Sequence, residues 1–263
     1  MSGALLEAVD VTVTFGDRLS AFDAVRAANI EVAAGDAIGI VGESGSGKTT
    51  LARVLVGLQV PRTGEVLLEE KRVFGMGRDT RFPRAERWKV QMIFQDPYSS
   101  LNPRMRAWQG VAEAVQVWQG VSAREARNQA FALLASVGIS GEQAQHLPRS
   151  LSGGQLQRVS VARALAPNPK VLIADEPTSS IDQSAQAQLL NLLRRLQLER
   201  ALTIVFISHD LALIRYLTSR VYVMQKGKIV ESGDTLRVFD QPEHPYTQLL
   251  IASISGRTKS SPL

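Results

Sequence analysis

The chain has 263 residues, 44% hydrophobic and 21% charged, enough for one globular domain with an appended piece or for two closely packed lobes around a real core. Thirty Lys and Arg against twenty-five Asp and Glu give a formal net charge of +5, which admits a nucleotide, lipid headgroups or nucleic acid as partner and chooses among none of them. The absence of cysteine excludes disulfides, thiolate zinc sites and iron–sulfur clusters, and the histidines, His146, His209 and His244, are too scattered in sequence to suggest a metal cluster.

The opening MSGALLEAVD lacks the basic start and long apolar run of a signal peptide, and no apolar run approaches the ~20 residues that span a bilayer. The expectation is a soluble protein whose membrane role is peripheral. LLEAVDVTVTF and AANIEV read as short β runs, and GDAIGIVG as an apolar strand closing on glycine. KTTLARVLVGL has helix formers and an apolar stripe at Leu51, Val54, Leu55 and Leu58, with Gly57 and Pro61 marking its end. After GEVLLEEKRV and the strand KVQMIF comes QDPYSSLNPR, a polar, proline-bearing loop, and then helical runs over about 107–137 that carry Trp108 and Trp118 as packing residues. From Leu151 the order is helix to about Ala166, strand KVLIAD, helix SAQAQLLNLLRRLQ, strand LTIVFIS, helix LALIRYLT and the short strand RVYVMQ. That alternation predicts a parallel sheet covered on both faces. The Leu-rich helix over 185–198 reads as core, His244 as support for a loop or helix start, and the closing GRTKSSPL as a frayed tail. The basic run between Lys71 and Lys89 (Arg72, Arg78, Arg81, Arg84, Arg87) is either a solvated face or a surface for a permease or anionic headgroups.

GESGSGKT, residues 42–49, matches G-x-x-x-x-G-K-[ST] between an apolar strand and a helix, the context in which that motif binds phosphate. Its glycines let backbone N–H groups turn inward, and the helix start adds about half a positive charge. Gly42, Glu43, Ser44, Gly45, Ser46, Gly47, Lys48, Thr49 and the adjacent Thr50 are therefore the candidate phosphate-binding residues, with Lys48 on the β/γ oxygens and the Thr49 hydroxyl on Mg²⁺. VLIADE, residues 171–176, buries a strand and ends in two carboxylates. Asp175 would organise Mg²⁺, and Glu176 would orient or deprotonate the attacking water. His209 follows the strand of FISHD, where an imidazole can reach a γ-phosphate or hold the water in line. Gln95 follows VQMIF, where a neutral amide can touch Mg²⁺ or water. A second glycine-bearing helix start, LSGGQLQRV, has in Ser152 and Gln155 the S-x-x-Q spacing of a capping box, with Leu156, Val159, Ala162 and Leu165 at helical spacing behind it.

Taken together these residues resemble the ATPase subunits of ABC transporters, with the motifs in that family's order over nearly the whole chain. GESGSGKT resembles the Walker A loop, VLIADE the Walker B strand, Gln95 the Q-loop glutamine, SSID (Ser179 to Asp182) the D-loop, His209 the switch histidine and LSGGQLQRV the signature. The resemblance implies an α/β fold, a P-loop NTPase of ABC type with a mostly parallel core sheet, an N-terminal antiparallel β subdomain and a helical subdomain. Residues 1–263 would form one ABC ATPase domain, with about 96–150 inserted in a RecA-like core as the helical part and about 236–263 as a short C-terminal extension. It implies ATP and Mg²⁺ as ligands, with Thr49, Gln95 and Asp175 at the metal. Two such domains would sandwich two ATP molecules head to tail, Ser152, Gly153 and Gly154 capping the partner's site, with Gln155 and Asp182 as further nucleotide-binding residues. Phe15 either stacks on adenine or is a buried strand phenylalanine. The further partners are two membrane permease subunits and, indirectly, a substrate-binding protein, with no nucleic acid expected; the location is peripheral, on the cytoplasmic face of the membrane. QDPYSSLNPR and QPEHPYTQLLIASI resemble the ATPases of dipeptide, oligopeptide and nickel importers. The chain closes soon after His-Pro-Tyr without a cysteine-bearing tail, which tilts the expectation towards nickel or metal–chelator complexes. SSID departs conservatively from the family's Ser-Ala-Leu-Asp. The rival readings are an ABC ATPase in a soluble assembly such as phosphonate breakdown, and an ABC ATPase linked to nucleic acid.

Overall fold

A computed structural model describes residues 3–17, 20–75, 82–179 and 181–255. The tail expected to fray, Ser180 of the SSID stretch, and Arg78 and Arg81 of the basic run lie outside the described residues. The chain divides into two units, residues 1–83 with 203–263, and residues 84–202.

In the first unit, β1 (Ala4–Phe15) and β2 (Phe22–Ala33) alternate buried and open positions, β1 burying Leu6, Ala8, Val11 and Val13. That period of two is what a half-covered antiparallel sheet requires. β3 (Ala37–Val41) is buried throughout and runs through residues 42–47 into α1 (Lys48–Leu55). β4 (Thr63–Leu68) and β5 (Lys71–Gly75) follow. β1 pairs antiparallel with β2 and β4, and β4 with β5, giving the order β2-β1-β4-β5. Leu58 is 61% exposed rather than part of the α1 stripe. The helix ends at Leu55, and Gly57, at φ +73°, turns the chain before Leu58 can reach the core face.

The second unit contains α2 (Arg84–Arg87), β6 (Val90–Ile93), α3 (Pro97–Ser100), α4 (Ala107–Gln119), α5 (Ala123–Ser136), α6 (Gly141–Ala144), α7 (Gly153–Leu165), β7 (Val171–Asp175) and α8 (Gln183–Arg200). The helical runs predicted over about 107–137 are the two helices α4 and α5, parted where Gly120 adopts φ +66° and closes α4. Trp108 packs as expected: its ring stacks on Phe131 at 5.9 Å and its Nε1 donates to Gln145 Oε1 at 3.1 Å. Leu189, Leu192, Leu193 and Leu196 are the buried face of α8. β6 and β7 pair in parallel.

The chain then returns to the first unit with β8 (Thr203–Ser208), α9 (Leu211–Leu217), β9 (Arg220–Gln225), β10 (Lys228–Asp234), α10 (Thr235–Asp240) and α11 (Pro245–Ser255). β3 lies between β8 and β9, parallel to both, and β10 is antiparallel to β9. β3, flanked on both sides, is buried on both faces and reads as an unbroken apolar run, and β8 is likewise buried along its whole length. Tyr222 ties this sheet to β2, its Oη accepting from the Glu31 N–H at 3.0 Å and donating to the Glu31 carbonyl at 2.9 Å. Among the described residues no helix is long and apolar enough to cross a membrane.

Candidate functional site

β3 and β8 are parallel neighbours with Val41 opposite Ser208, so the loop after Val41 and the turn holding His209 leave the same carboxyl edge of the sheet, where ligands of open α/β sheets bind. Only glycine fits two corners of that loop. A Cβ on Gly42 (φ +152°) would lie 2.2 Å from the Met224 carbonyl oxygen, and one on Gly47 (φ +106°) 2.3 Å from that of Ala24. Lys48 is 5% exposed. Its Nζ donates to the carbonyls of Gly42 and Glu43, each at 2.8 Å, and to Ser46 Oγ at 3.3 Å, so the ammonium is held inside the turn. Glu43, Ser44 and Gly45 are exposed at the head of the loop, and Thr49 and Thr50 stand half-buried in the first turn of α1. The loop is braced from outside: the Gly227 N–H donates to the Ser46 carbonyl at 2.9 Å, and the Glu43 N–H donates to Tyr246 Oη at 3.0 Å. His209 is exposed and precedes Asp210, whose carboxylate caps α9 through the Ala212 and Leu213 amides at 3.0 and 3.2 Å. Phe15 is 37% exposed, with its ring 6.0 Å from that of Phe22, which removes the buried-strand alternative for it.

In the other unit β6 and β7 run parallel with Ile93 opposite Ala174, and their two expected site residues meet: Gln95 Nε2 donates to Glu176 Oε2 at 3.2 Å. Asp175 closes β7 at 2% exposure. Glu176 adopts φ +44°, a conformation that costs a residue with a Cβ roughly 1 kcal/mol or more. The Ser179 N–H and Oγ both donate to its carbonyl, at 3.2 and 3.0 Å, and hold the turn. The segment after Gln95 is anchored on α7: Asp96 caps α3, Ser100 Oγ lies 3.1 Å from Ser160 Oγ, and Arg163 Nη1 donates to the Ser100 carbonyl at 2.7 Å.

α7 opens on the expected capping box, Ser152 Oγ accepting from the Gln155 N–H at 3.3 Å and Gln155 Oε1 from the Ser152 N–H at 2.9 Å. A Cβ on Gly154 would lie 2.9 Å from the Ala185 Cβ, so the starts of α7 and α8 approach closely there. Asp182 caps α8 through the Ala185 N–H at 2.9 Å. Thr49, Gln95 and Asp175 offer a hydroxyl, an amide oxygen and a carboxylate, the hard oxygen donors that Mg²⁺ accepts beside phosphate oxygens. Among the described residues no group of three or more His, Asp or Glu gathers as a metal cage.

Sequence reasoning missed the loop's brace. His244 does support a helix start, its Nδ1 accepting from the Tyr246 N–H at 3.1 Å. Glu231 accepts from the Glu243 and His244 N–H groups at 2.9 and 3.0 Å. Burial pushes the Glu231 carboxyl up, but the Glu243 amide, the neighbouring Thr247 hydroxyl and the His244 amide outweigh it and hold the group below the usual carboxylate range. Burial likewise raises the Tyr246 phenol, and the Glu43 amide opposes it without overcoming it. The His-Pro-Tyr stretch was legible as a marker of a branch and not as a support of the phosphate loop.

Residues 25–179 match the ABC transporter family. The chain is 41% identical over 255 residues to the oligopeptide transport ATP-binding protein OppF of Streptococcus pyogenes serotype M1, covering 97% of this chain and 83% of that protein. It is 40% identical over 266 residues to the probable D,D-dipeptide transport ATP-binding protein DdpF of Escherichia coli K12, covering 98% and 82%. The dimeric, post-hydrolysis structure of the ATP-binding cassette MJ0796 with ADP and Pi superposes with a TM-score of 0.78 at 29% identity, over 88% of this chain and 98% of that one.

Proposed function

The chain belongs to the ABC transporter family, and we propose that within it this protein is the ATP-binding and ATP-hydrolysing subunit of an importer for peptides. The observation that carries the reading is the identity of 41% over 97% of the chain to an oligopeptide transport ATP-binding protein. A D,D-dipeptide relative at 40% supports the same class of cargo. These relatives move the reading away from nickel or metal–chelator complexes, and their transport roles favour an importer over a soluble assembly.

On this reading the loop amides, Lys48 and the start of α1 hold the phosphates, and Phe15 stacks on adenine. Bound Mg²⁺ would neutralise charge on the β- and γ-oxygens, with Thr49, Gln95 and Asp175 as the residues that hold it. Glu176 takes the proton of the attacking water or orients it. His209 keeps that water and the γ-phosphate in line. Ser152, Gly153, Gly154, Gln155 and Asp182 belong to the ATP site of a second ATPase subunit, identical or related, in a head-to-tail dimer. The structural neighbour is itself dimeric, which supports a second ATPase subunit. The dimer would sit on the cytoplasmic face of the membrane against two permeases, and a substrate-binding protein would supply the cargo from the other side.

Purified chain should hydrolyse MgATP, and a tagged copy expressed at native level should bring down membrane permeases. A chain without ATPase activity alone or with its permeases, or one that co-purifies with soluble enzyme subunits only, would overturn the proposal.

A further inference from the structure

A chain of contacts begins at a carboxylate on β10 and ends on the phosphate loop. Glu231 Oε1 and Oε2 accept from the Glu243 and His244 N–H groups, which fixes the segment entering α11. Pro245 opens that helix, where its missing N–H costs nothing. His244 Nδ1 accepts from the Tyr246 N–H at 3.1 Å, and the His244 carbonyl accepts from the Gln248 N–H at 3.1 Å. With its backbone held at both ends of the first turn, Tyr246 is placed at 6% exposure with Oη 3.0 Å from the Glu43 nitrogen, 203 residues away in sequence.

The amide it holds occupies a sensitive place. Glu43 follows Gly42, whose φ of +152° no other residue adopts at ease, and the Gly42 carbonyl, in the same peptide plane as the Glu43 N–H, is one of the acceptors that fix Lys48 Nζ. Rotation of the peptide between residues 42 and 43 would therefore disturb the corner and the lysine together. The Gly227 contact braces the far side of the loop at Ser46, and Tyr246 braces this side.

We propose that Tyr246 is a positioning residue for the phosphate loop, so that nucleotide affinity depends on the docking of the His-Pro-Tyr element against Glu43. The inference rests on reading residues 42–49 as the nucleotide site. The hydroxyl touches no reacting atom; it keeps the loop in the turn that phosphate requires, and preorganisation lost is affinity lost.

The test uses the full chain. Tyr246→Phe keeps the ring and its packing and removes the acceptor; His244→Ala keeps the phenol and removes the cap that aims it. MgATP affinity is measured by calorimetry, kcat and KM by phosphate release, and amide exchange across residues 42–47 by mass spectrometry. Loss of one neutral hydrogen bond should weaken MgATP binding by about 3- to 10-fold. KM should rise in step, kcat should stay within about twofold, exchange at the Glu43 amide should quicken, and His244→Ala should shift affinity the same way. A Tyr246→Phe chain with wild-type affinity and wild-type exchange at Glu43 overturns the proposal while leaving the nucleotide reading intact. Wild-type chain that binds no MgATP overturns both. A fall in kcat at unchanged KM also overturns it, since that would place the hydroxyl in the chemistry.

Discussion

Gln95 Nε2 donates to Glu176 Oε2 at 3.2 Å, joining residues 81 apart that leave the ends of neighbouring parallel strands. The contact aims a carboxylate whose own backbone is held in the left-handed region by Ser179. A neutral amide suits this task, because it orients the carboxylate without neutralising it or removing its power to accept a proton. Glu176→Gln replaces that carboxylate with a group that fills the same volume and takes up no proton. The rate of MgATP hydrolysis should fall about 10²- to 10⁴-fold while MgATP still binds. A variant that turns over at the wild-type rate would remove Glu176 from the chemistry.

Lys48 calls for the opposite outcome. Its ammonium is held inside the turn by two carbonyls and a hydroxyl, and in the proposed complex phosphate oxygens give it charge-assisted partners. Lys48→Met retains the stem and drops the charge, so the loss falls on binding, by about 10- to 150-fold in Kd, the equivalent of ~1.5–3 kcal/mol for a hydrogen bond to a charged group. Calorimetry with MgATP reads this directly, and unchanged affinity would contradict the phosphate-loop assignment.

The start of α7 separates a helix cap from a ligand site that serves another subunit. Ser152 and Gln155 satisfy each other within the box, so Ser152→Thr should be nearly silent in folding. Ser152→Arg places bulk and charge at the helix start. In dimers formed from one Ser152→Arg subunit and one Lys48→Met subunit, head-to-tail sites put both lesions in the same ATP site and leave the other intact, so about half of the wild-type activity should survive. Near-complete loss would place the Ser152 defect in its own subunit's site. Phosphate release from affinity-purified mixed dimers distinguishes the two.

The sequence made the phosphate loop legible because glycine and lysine spacing encodes a backbone conformation, and it made β3, β7 and β8 legible because strands buried on both faces need unbroken apolar runs. β10 carries no such signal: its residues are half-buried or exposed, and KIVESGD has no clear alternation. Its mark lies in the turn before it, Lys226 at φ +47° and Gly227 at φ +83°, a two-residue connection that twists with its strands. The convergence of Gln95 on Glu176 depends on β6 lying beside β7, a strand order that local patterning does not specify. The seat of Tyr246 on Glu43 is of the same kind, a contact between distant segments that only tertiary packing creates.

Glu231 gives the brace a pH dependence whose sign is fixed by its environment. Its folded-state carboxyl is held below the ordinary range, since the Glu243 amide, the neighbouring Thr247 hydroxyl and the His244 amide outweigh the opposing effect of burial. A depressed carboxylate stabilises the fold fully above its unfolded pKa of about 4.3, and that stabilisation is lost as pH falls through the lower folded value. Glu231→Gln retains one acceptor oxygen and forfeits the charge. The thermal midpoints of wild type and variant should therefore be furthest apart near pH 7, with wild type higher, and converge as the solution is acidified below the carboxylate range. A separation that stays constant down to acid pH would mean that the contact acts through its shape alone, and that the charge on Glu231 contributes nothing to the seat of the His-Pro-Tyr element.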